Sequence, residues 1–500
     1  MVLAWRGFCF DPQRWTHAEV LVGLLAAHVV AWTIYGTFGL NGGVHEDMLE
    51  AWVWGKEAQL GYFKHPPVFA WLAGAWFQVM PRADWAFYVL AALNSAAGLW
   101  AIWLLAGLFL EGRQRLAAVL VAMLTPLYGV LALKFNANSV LLAIWPLATY
   151  FFISSLRERR AADSIGLGVM CGIAMLSKYY STLLLAAFFV VAVHHANRRR
   201  YWRSFAPYLA FGVFLLTIAP HVYWLVQANG VTLDYAGTKF GYDFRQTLSW
   251  VAVTSLAPVA FFVLPLVLLF GVRPERWQNG VANLQRWSQE PRHASIGLLA
   301  LAPYLLTLLW GLIGVKVSIS YTIPIFFLVP ILIVLAVPET VTPRTMRRLA
   351  IAVCVVMAGV VSVAPLLGYL RFRTETRAAV EPRAEVAREA TTLWRMHFNR
   401  PLRLVAGSTA FASAIPFYSQ DQPSQFINFA ARAAPWVTAE RLAREGLLIV
   451  CEDWDAHCRT ELDHRVTNRT IRIERKLARK AYGRDAAPVA LTLLLVPPAD

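Results

Sequence analysis

The sequence predicts an α-helical polytopic membrane protein with a small extracytoplasmic α/β domain at its carboxyl-terminal end. Hydrophobic residues make up 58% of the 500 residues and mean hydropathy is +0.49, whereas soluble chains contain about 45–50% apolar residues. Apolar runs of roughly 20 residues recur along the chain, which is the length that crosses a ~30 Å hydrocarbon core. After residue 371 these runs give way to short amphipathic segments, which are typical of a water-exposed domain.

The net charge of +16 is concentrated in short loops between the apolar runs. Arginines cluster there in five groups: Arg113/Arg115, Arg157/Arg159/Arg160, Arg198–Arg200 with Arg203, Arg273/Arg276, and Arg344/Arg347/Arg348. Such clusters are the positive-inside signal that sets the orientation of membrane helices. The charge therefore indicates cytoplasmic loops, and we expect no nucleic-acid partner.

The first span is predicted at 17–39 as a retained helix, because residues 1–16 lack a small-residue cleavage site. Single spans follow at 84–110, 115–133, 140–156, 206–226, 248–270, 296–314, 320–337 and 348–370. The apolar segment 165–195 lies between two arginine clusters and is divided by the polar S-K-Y-Y-S. We expect two short helices there with Lys178 at the turn, although one long tilted span also fits. The total is about 11 spans.

With a cytoplasmic amino terminus, the parity of these spans places four loops outside: 40–83, 134–139, 227–247 and 315–320. The membrane domain is expected at 1–371 and a periplasmic domain at 372–500. In the latter, an amphipathic helix begins near 372 and short strands are predicted at 402–407, 425–429, 446–450 and 489–496. Cys451 and Cys458 form a disulfide if this domain faces an oxidising compartment, and otherwise remain free thiols.

The most unusual loop is the first external one, 40–83, because residues 44–71 combine acids, lysines and histidines with aromatic residues. A carboxylate such as Asp47 or Glu46 can act there as a general base or hold a divalent cation. A solvated loop acid is the alternative. In K-H-P-P, the consecutive prolines prevent regular helix, so Lys64 and His65 are expected where an apolar helix resumes. Those two residues could equally be part of an interfacial anchor.

Three lysines are predicted on the same outer side: Lys134, Lys178 and Lys316. Lys134 can simply extend to the membrane surface. Lys178, together with Lys316 and Tyr321, would suit the phosphate of a lipid-linked substrate. Asp234, in the loop 221–240, is a weaker candidate for lining a sugar site. The sequence contains no Walker A loop, GxGxxG motif, nucleophile elbow or Cys/His metal cluster, so coupled nucleotide hydrolysis is not expected.

Several of these motifs together resemble bacterial membrane glycosyltransferases of family 39, the protein mannosyltransferase type, which includes the aminoarabinose transferase of lipid A. The resemblance covers roughly 15–370. It rests on the first-loop acids followed by W-x-x-x-x-x-L-G-Y-F-K-H-P-P-x-x-A-W-L, F-N-A-N-S-V-L-L-A-I-W-P-L (135–147), L-S-K-Y-Y (176–180) and Y-T-I-P-I-F-F-L-V-P (321–330).

This resemblance implies a GT-C fold and a catalytic base at Asp47. The family often has Asp-Glu at that point, whereas this chain has Asp47-Met48 preceded by Glu46. If a metal such as Mg²⁺ or Mn²⁺ is used, Asp47 and Glu46 would hold it. The donor-binding candidates are Lys64, His65, Lys178, Tyr179, Lys316, Tyr321 and Asp234.

The function implied is an inverting glycosyltransferase in the bacterial inner membrane. It would move a sugar from a polyprenyl-phosphate carrier to an envelope acceptor, such as a lipopolysaccharide core, lipid A or another glycan. A protein acceptor is one alternative. A transporter or flippase for lipid-linked sugars is another, although the sequence shows one broken helix pair without a second copy.

Overall fold

The computed structural model describes residues 16–40, 42–271, 274–289 and 291–499. The predictions that concern residues 1–15 and Arg273 lie outside these residues. The chain is helical as far as Arg373, and its helices up to the second external loop are α1 (His17–Ile34), α2 (Glu46–Glu57), α3 (Val68–Val79), α4 (Asp84–Ala106), α5 (Gly112–Met123), α6 (Leu141–Glu158), α7 (Ala161–Ser177), α8 (Thr182–His194), α9 (Arg198–Trp202) and α10 (Ala206–Gln227). The next seven are α11 (Val231–Gly237), α12 (Phe244–Phe270), α13 (Pro274–Gln289), α14 (Pro291–Leu312), α15 (Ile319–Thr322), α16 (Val329–Ala336) and α17 (Pro343–Arg373).

Within the described residues, seven helical segments are long and apolar enough to cross a membrane: His17–Gly39, Asp84–Ala106, Ala206–Gln227, Phe244–Phe270, Ser295–Leu312, Ile319–Ala336 and Pro343–Arg373. Shorter apolar helices lie at Val68–Val79, Ala161–Ser177 and Tyr179–His194. The predicted multi-pass helical architecture is confirmed, while the total of about 11 spans stays a prediction. The predicted span 115–133 is not one helix, because α5 ends at Met123, shortly before Pro126.

The apolar segment around Lys178 is divided as the sequence predicts. Lys178 has extended backbone angles (φ −162°, ψ 133°) between α7 and a short 3₁₀ turn, Tyr179–Ser181, that leads into α8. Helix α7 packs against α6 and α10, whereas α8 packs mainly against α14. The interruption therefore places a lysine at the point where two differently packed helices meet.

The first external loop is largely helical. Pro66 and Pro67 precede α3, as the proline pair predicts, and α3 packs closely against α2. The two helices meet at Gly55 and Gly74, where a Cβ on Gly55 would overlap the carbonyl oxygen of Ala70. Glycine is required there for the close approach of the two backbones. The hairpin of α2 and α3 thus carries the acids of the first loop on a rigid element.

After Arg373 the chain forms a five-stranded mixed sheet with flanking helices. The helices are α18 (Arg377–Val380), α19 (Arg383–Phe398), α20 (Thr409–Tyr418), α21 (Ala439–Glu445) and α22 (Ala456–Asp463). The strands are β1 (Leu404–Gly407), β2 (Ser424–Gln425), β3 (Leu447–Glu452), β4 (Ile471–Leu477), β5 (Lys480–Ala481), β6 (Arg484–Asp485) and β7 (Val489–Val496). The sheet order is β2-β1-β3-β7-β4, and β5 and β6 form a separate pair. Strands β1, β2 and β3 are parallel, whereas β7 is antiparallel to both β3 and β4.

The strand predictions are close but incomplete. The predicted strand at 425–429 is wrong beyond Gln425, because Ile427–Phe429 forms a 3₁₀ turn. Strand β4 was not predicted, although I-R-I-E-R-K-L alternates apolar and charged residues. Cys451 on β3 is joined to Cys458 on α22 by a disulfide.

The terminal domain docks on the hairpin of the first loop. Phe417 of α20 packs edge-on against Trp52 of α2, with ring centroids 5.5 Å apart. Lys56 Nζ donates to the Gln422 carbonyl at 2.5 Å, and Arg82 Nη1 donates to the Phe417 carbonyl at 2.7 Å. These contacts fix the orientation of α2, the helix on which Asp47 lies.

Candidate active site

Asp47 lies in the first turn of α2, and the residues around this turn determine its position. His45 is the N-cap, and its Nδ1 accepts a hydrogen bond from the Asp47 backbone N–H at 3.1 Å. A carboxylate in the first turn is stabilised by the positive end of the helix dipole. Arg383, from the terminal domain, donates to the Val44 carbonyl just before this turn. The start of α2 is therefore held both by its own N-cap residue and by a residue of the terminal domain.

The Asp47 carboxylate is held by residues of the K-F-N-A-N-S turn. Lys134 Nζ lies 2.9 Å from Asp47 Oδ2, and Asn136 Nδ2 donates to the same oxygen at 2.9 Å. The backbone N–H groups of Asn138 and Ser139 donate to Asn136 Oδ1 at 2.8 and 3.0 Å, which fixes the orientation of the amide. Burial acts to raise the pKa of Asp47, but Lys134, His45 and Asn136 outweigh it and lower that pKa. Asp47 is thus a carboxylate at neutral pH.

A second acid–lysine pair lies beside the first. Glu50, one turn after Asp47 on α2, accepts a hydrogen bond from Lys64 Nζ at 2.6 Å. Burial acts to lower the pKa of Lys64, but the Glu50 carboxylate outweighs it and raises that pKa. Lys64 is therefore a cation whose charge is already balanced within the protein.

Lys178 extends into the same region from the break between α7 and α8. Its Nζ donates to Asn138 Oδ1 and lies 4.0 Å from the centroid of the Tyr321 ring. Burial lowers the pKa of Lys178 to about 7, and the nearby Lys239 and Lys134 add to this effect while Asp47 opposes it. An anion bound at Lys178 would favour the protonated, positively charged form of its side chain.

Two outer loops bring further lysines together. The backbone N–H of Lys316 donates to the Lys239 carbonyl at 2.8 Å, which joins the loop after α11 to the loop after α14. Lys239 Nζ lies 4.3 Å from the Tyr235 ring centroid, and Lys316 Nζ lies 5.6 Å from the Trp250 ring centroid. Each of these two side chains therefore faces an aromatic ring rather than a carboxylate.

All of these groups line one polar cavity of about 380 Å³, which we call the lysine cavity. Six residues predicted for the site line it: Asp47, Lys64, His65, Lys178, Lys316 and Tyr321. Its other polar lining residues are Glu50, Lys134, Asn136, Asn138, Tyr235, Lys239, Ser318 and Ser320. His65 packs edge-on against Phe69 and Tyr235. Burial and the neighbouring Lys178 and Lys64 lower its pKa to about 3, so its imidazole is neutral.

Three predicted site residues do not line the lysine cavity. Glu46 faces the terminal domain, with its Oε1 3.9 Å from Arg383 Nη2. The Tyr179 hydroxyl lies 2.6 Å from His221 Nε2 and braces α10. Asp234 forms an ion pair with Arg432 of the terminal domain at 2.5 Å. The sequence alone does not distinguish residues that contact the terminal domain from residues that contact a ligand, because both kinds are polar side chains in the same segments.

An apolar groove of about 510 Å³ lies beside the lysine cavity, among α3, α4, α6, α7 and α10. Its lining residues are Val68, Trp71, Leu72, Asn94, Val140, Ala143, Ile144, Ile173, Leu176, Thr217, Pro220 and His221. In three segments of the chain, a residue that lines the groove lies within two residues of one that lines the cavity. Val68 precedes Phe69, Leu176 precedes Lys178 by two residues, and Asn138 precedes Val140 by two. A single ligand with a polar head and an apolar tail would fit this arrangement.

The predicted metal ligands do not fit a divalent cation. Mg²⁺ and Mn²⁺ prefer several oxygen ligands with negative charge. Asp47 is instead surrounded by Lys134 and the donating amide of Asn136, and Glu46 points toward Arg383. Within the described part of the chain, no group of three or more His, Cys, Asp or Glu side chains is arranged to hold a metal.

Comparison with known proteins shows what this chain is similar to. The family described as dolichyl-phosphate-mannose-protein mannosyltransferase matches residues 64–224. The lipopolysaccharide core galacturonosyltransferase RgtB of Rhizobium johnstonii is 23% identical over 309 residues, which cover 60% of this chain and 62% of RgtB. The match therefore spans less than two thirds of RgtB.

Among solved structures, ArnT from Cupriavidus metallidurans bound to undecaprenyl phosphate is similar over 95% of this chain and 98% of its own. The TM-score is 0.61 at 14% identity. The match at 64–224 and the similarity to ArnT support the predicted resemblance to GT-C glycosyltransferases of family 39. The similarity to ArnT extends through the terminal domain and confirms the fold predicted from the resemblance.

The oligosaccharyltransferase of Archaeoglobus fulgidus, in complex with Zn and sulfate, is less similar to this chain than ArnT is. It has a TM-score of 0.47 at 13% identity, over 87% of this chain and 68% of its own. The 64–224 match contains K-H-P-P, F-N-A-N-S and S-K-Y-Y. Asp47 lies before that segment, and Lys316 and Tyr321 lie after it.

Proposed function

We propose that this protein is an inverting glycosyltransferase that transfers a sugar from a polyprenyl-phosphate carrier to an envelope acceptor, namely a lipopolysaccharide core, lipid A or another glycan. The observation that carries the proposal is an ionised Asp47 in a lysine-rich cavity that adjoins an apolar groove. The similarity to RgtB, a lipopolysaccharide core galacturonosyltransferase, supports the class of acceptor. The undecaprenyl phosphate bound to ArnT supports the class of donor.

Asp47 serves as the general base in this proposal. Its Oδ1 is free of the Lys134 and Asn136 contacts, which both go to Oδ2, and is available to accept the proton of an acceptor hydroxyl. The acceptor oxygen then forms a bond to the anomeric carbon while the bond from that carbon to the phosphate oxygen breaks. A single displacement inverts the anomeric configuration. A positioned base of this kind typically contributes about 10²–10⁴-fold to the rate.

The leaving group is polyprenyl phosphate, and Lys178 is best placed to neutralise it. Lys178 lies at the end of α7, two residues after Leu176 of the apolar groove. A prenyl chain in the groove would bring its phosphate to this ammonium group. Lys64 and Lys316, which the sequence also predicts for the phosphate, line the same cavity, but Lys64 is already paired with Glu50. Fixed charges aimed at a developing anion lower the barrier because they need no reorganisation.

The reaction is proposed for the periplasmic face of the inner membrane. The arginine clusters of the short loops favour a cytoplasmic position for those loops, and this orientation puts the lysine cavity and the terminal domain on the other side. The disulfide between Cys451 and Cys458 is in keeping with an oxidising compartment.

The test uses purified protein in detergent, a panel of radiolabelled polyprenyl-phosphate sugars and an envelope extract as acceptor. The proposal predicts that label moves to a lipopolysaccharide or glycan fraction with inverted anomeric configuration. Label in the protein fraction would instead identify a protein O-glycosyltransferase. If no donor is consumed but labelled carrier crosses the membrane of proteoliposomes, the protein is a transporter and the proposal fails.

A further inference from the structure

The lysine cavity contains more positive charge than one donor phosphate requires. Its ionisable lining includes five lysines but two carboxylates, Asp47 and Glu50. The carboxylates pair with Lys134 at 2.9 Å and with Lys64 at 2.6 Å. Within the described residues, Lys178, Lys239 and Lys316 have no ion-pair partner, so three ammonium groups remain for ligands.

These three lysines are held by neutral groups. Lys178 contacts Asn138 and the Tyr321 ring, Lys239 lies over Tyr235, and Lys316 lies over Trp250. An aromatic face attracts a cation without cancelling its charge. The arrangement therefore orients the ammonium groups and leaves their charge for a bound anion.

A glycosyl donor of the proposed kind has one negative charge, on its phosphodiester. Lys178 accounts for that charge, which leaves Lys239 and Lys316 unbalanced inside a partly enclosed cavity. Positive charge confined in this way is costly unless it is paired. Neighbouring lysines repel one another in this cavity and help to lower the pKa of both Lys178 and His65.

We propose, building on the function proposed above, that Lys239 and Lys316 bind a second anionic group of the substrates, a carboxylate or phosphate distinct from the donor phosphate. Their loops are joined by the backbone hydrogen bond from Lys316 to Lys239, and both side chains line the lysine cavity. Ser318 and Ser320 line the same wall and offer hydroxyl donors.

Two sources of this anion share the same chemistry: a carboxylate on the transferred sugar, as in a uronosyl donor, or an anion on the acceptor. The sugar is favoured, because during an in-line displacement it must lie between Asp47 and the phosphate, inside the cavity. The acceptor needs only to present one hydroxyl at Asp47.

The experiment compares two donors that differ only at C6: polyprenyl-phosphate galactose and polyprenyl-phosphate galacturonate. Binding to the purified wild type is measured without acceptor, and transfer rates are then measured with it. The proposal predicts that galacturonate is favoured at least about tenfold, which corresponds to about 1.4 kcal/mol. In Lys239→Gln and Lys316→Gln, this preference should fall to within about threefold, because one cation of the pair is lost.

Lys480→Gln is the matched control, since Lys480 is an exposed lysine on β5 in the terminal domain, and its donor preference should equal that of the wild type. A second arm compares an acceptor with its phosphates and carboxylates intact to the same acceptor after their removal, using the neutral donor. The anion lies on the acceptor if two results are obtained together. The two donors bind alike, and removing the acceptor's charged groups raises the KM for the acceptor at least about tenfold in the wild type but not in the lysine variants.

Equal use of both donors together with indifference to the acceptor's charge would overturn the second anion site. So would preferences that survive in both lysine variants. These outcomes leave the proposed function standing, because sugar is still transferred. Failure to transfer or bind either donor would instead count against the proposed function itself.

Discussion

At the scale of single residues, the charge of the site is set by which lysines are paired. Lys134 and Lys64 each hold a carboxylate, whereas Lys178 contacts an amide and an aromatic ring. The same residue type therefore has different roles within one cavity. Lys134 fixes the ionised state of Asp47, and Lys178 remains available for a phosphate.

Donor affinity should depend on pH through Lys178. Its pKa in the empty site is lowered to about 7, and a bound phosphate favours the charged form. Below that pH the ammonium group is already present; above it, binding must take up a proton. The dissociation constant for a polyprenyl-phosphate sugar, whose phosphodiester keeps one negative charge across this range, should therefore rise by up to about tenfold per pH unit above pH 7.

Titration of binding between pH 6 and 9 measures this dependence. Lys178→Arg is the matched variant, because arginine stays charged throughout that range, and its binding should be nearly independent of pH. A wild-type affinity that does not change between these pH values, or the same slope in the arginine variant, would remove Lys178 from the phosphate site.

At the scale of elements, the hairpin of α2 and α3 depends on the contact between Gly55 and Gly74. Gly55→Ala should destabilise the protein by about 1–3 kcal/mol, because the new methyl group overlaps the Ala70 carbonyl and forces the helices apart. Gly23→Ala is the matched control, since Gly23 lies inside α1 with open space around it. The control substitution should leave the free energy of unfolding unchanged or increase it slightly. Thermal unfolding in detergent measures both, and equal melting temperatures would contradict the account.

Arg383 connects the terminal domain to the start of α2. It is buried, pairs with the buried Glu381 at 2.5 Å and donates to the Val44 carbonyl. Arg383→Met should cost about 3–5 kcal/mol, because Glu381 loses this buried partner. Adding Glu381→Gln should recover much of that stability but not the turnover, since Val44 still lacks its donor. If the double variant regains both stability and kcat, Arg383 does not position Asp47.

Helices and breaks were predictable from the sequence where a local signal exists. Pro66 and Pro67 marked the start of α3, and the polar residues around Lys178 marked the end of α7. The docking contacts of Asp234 with Arg432 and of Glu46 with Arg383 join residues far apart in the chain. No local pattern reveals such a contact. Asn136 belongs to the F-N-A-N-S motif, but its hydrogen bond to Asp47 forms only when two separate segments of the chain come together.

At the scale of the whole molecule, the terminal domain docks on the segment that carries Asp47. Lys56 and Arg82 donate to backbone carbonyls of the terminal domain, and Tyr418 donates to Asp84 at 2.7 Å. The terminal domain therefore lies next to the helix that positions Asp47. This arrangement requires that domain and cavity lie on the same side of the membrane.

A reporter fused after the terminal domain tests the orientation. Alkaline phosphatase should be active there and a fluorescent protein dark, because the former needs an oxidising compartment for its disulfides. A matched fusion in the arginine-rich loop at 198–203 should give the opposite pattern. Fluorescence from the carboxyl-terminal fusion would place the domain in the cytoplasm and contradict the proposed location of the reaction.

The most direct test of the central claim is the turnover of Asp47→Asn beside that of Glu46→Gln, with donor binding measured in both. Because Asp47 lines the cavity and Glu46 faces Arg383, Asp47→Asn should lose about 10²–10⁴-fold in kcat and keep donor affinity within about threefold. Glu46→Gln should retain most of its turnover. Undiminished turnover in Asp47→Asn, or a loss in Glu46→Gln as large as that predicted for Asp47→Asn, would contradict the assignment of Asp47 as the base.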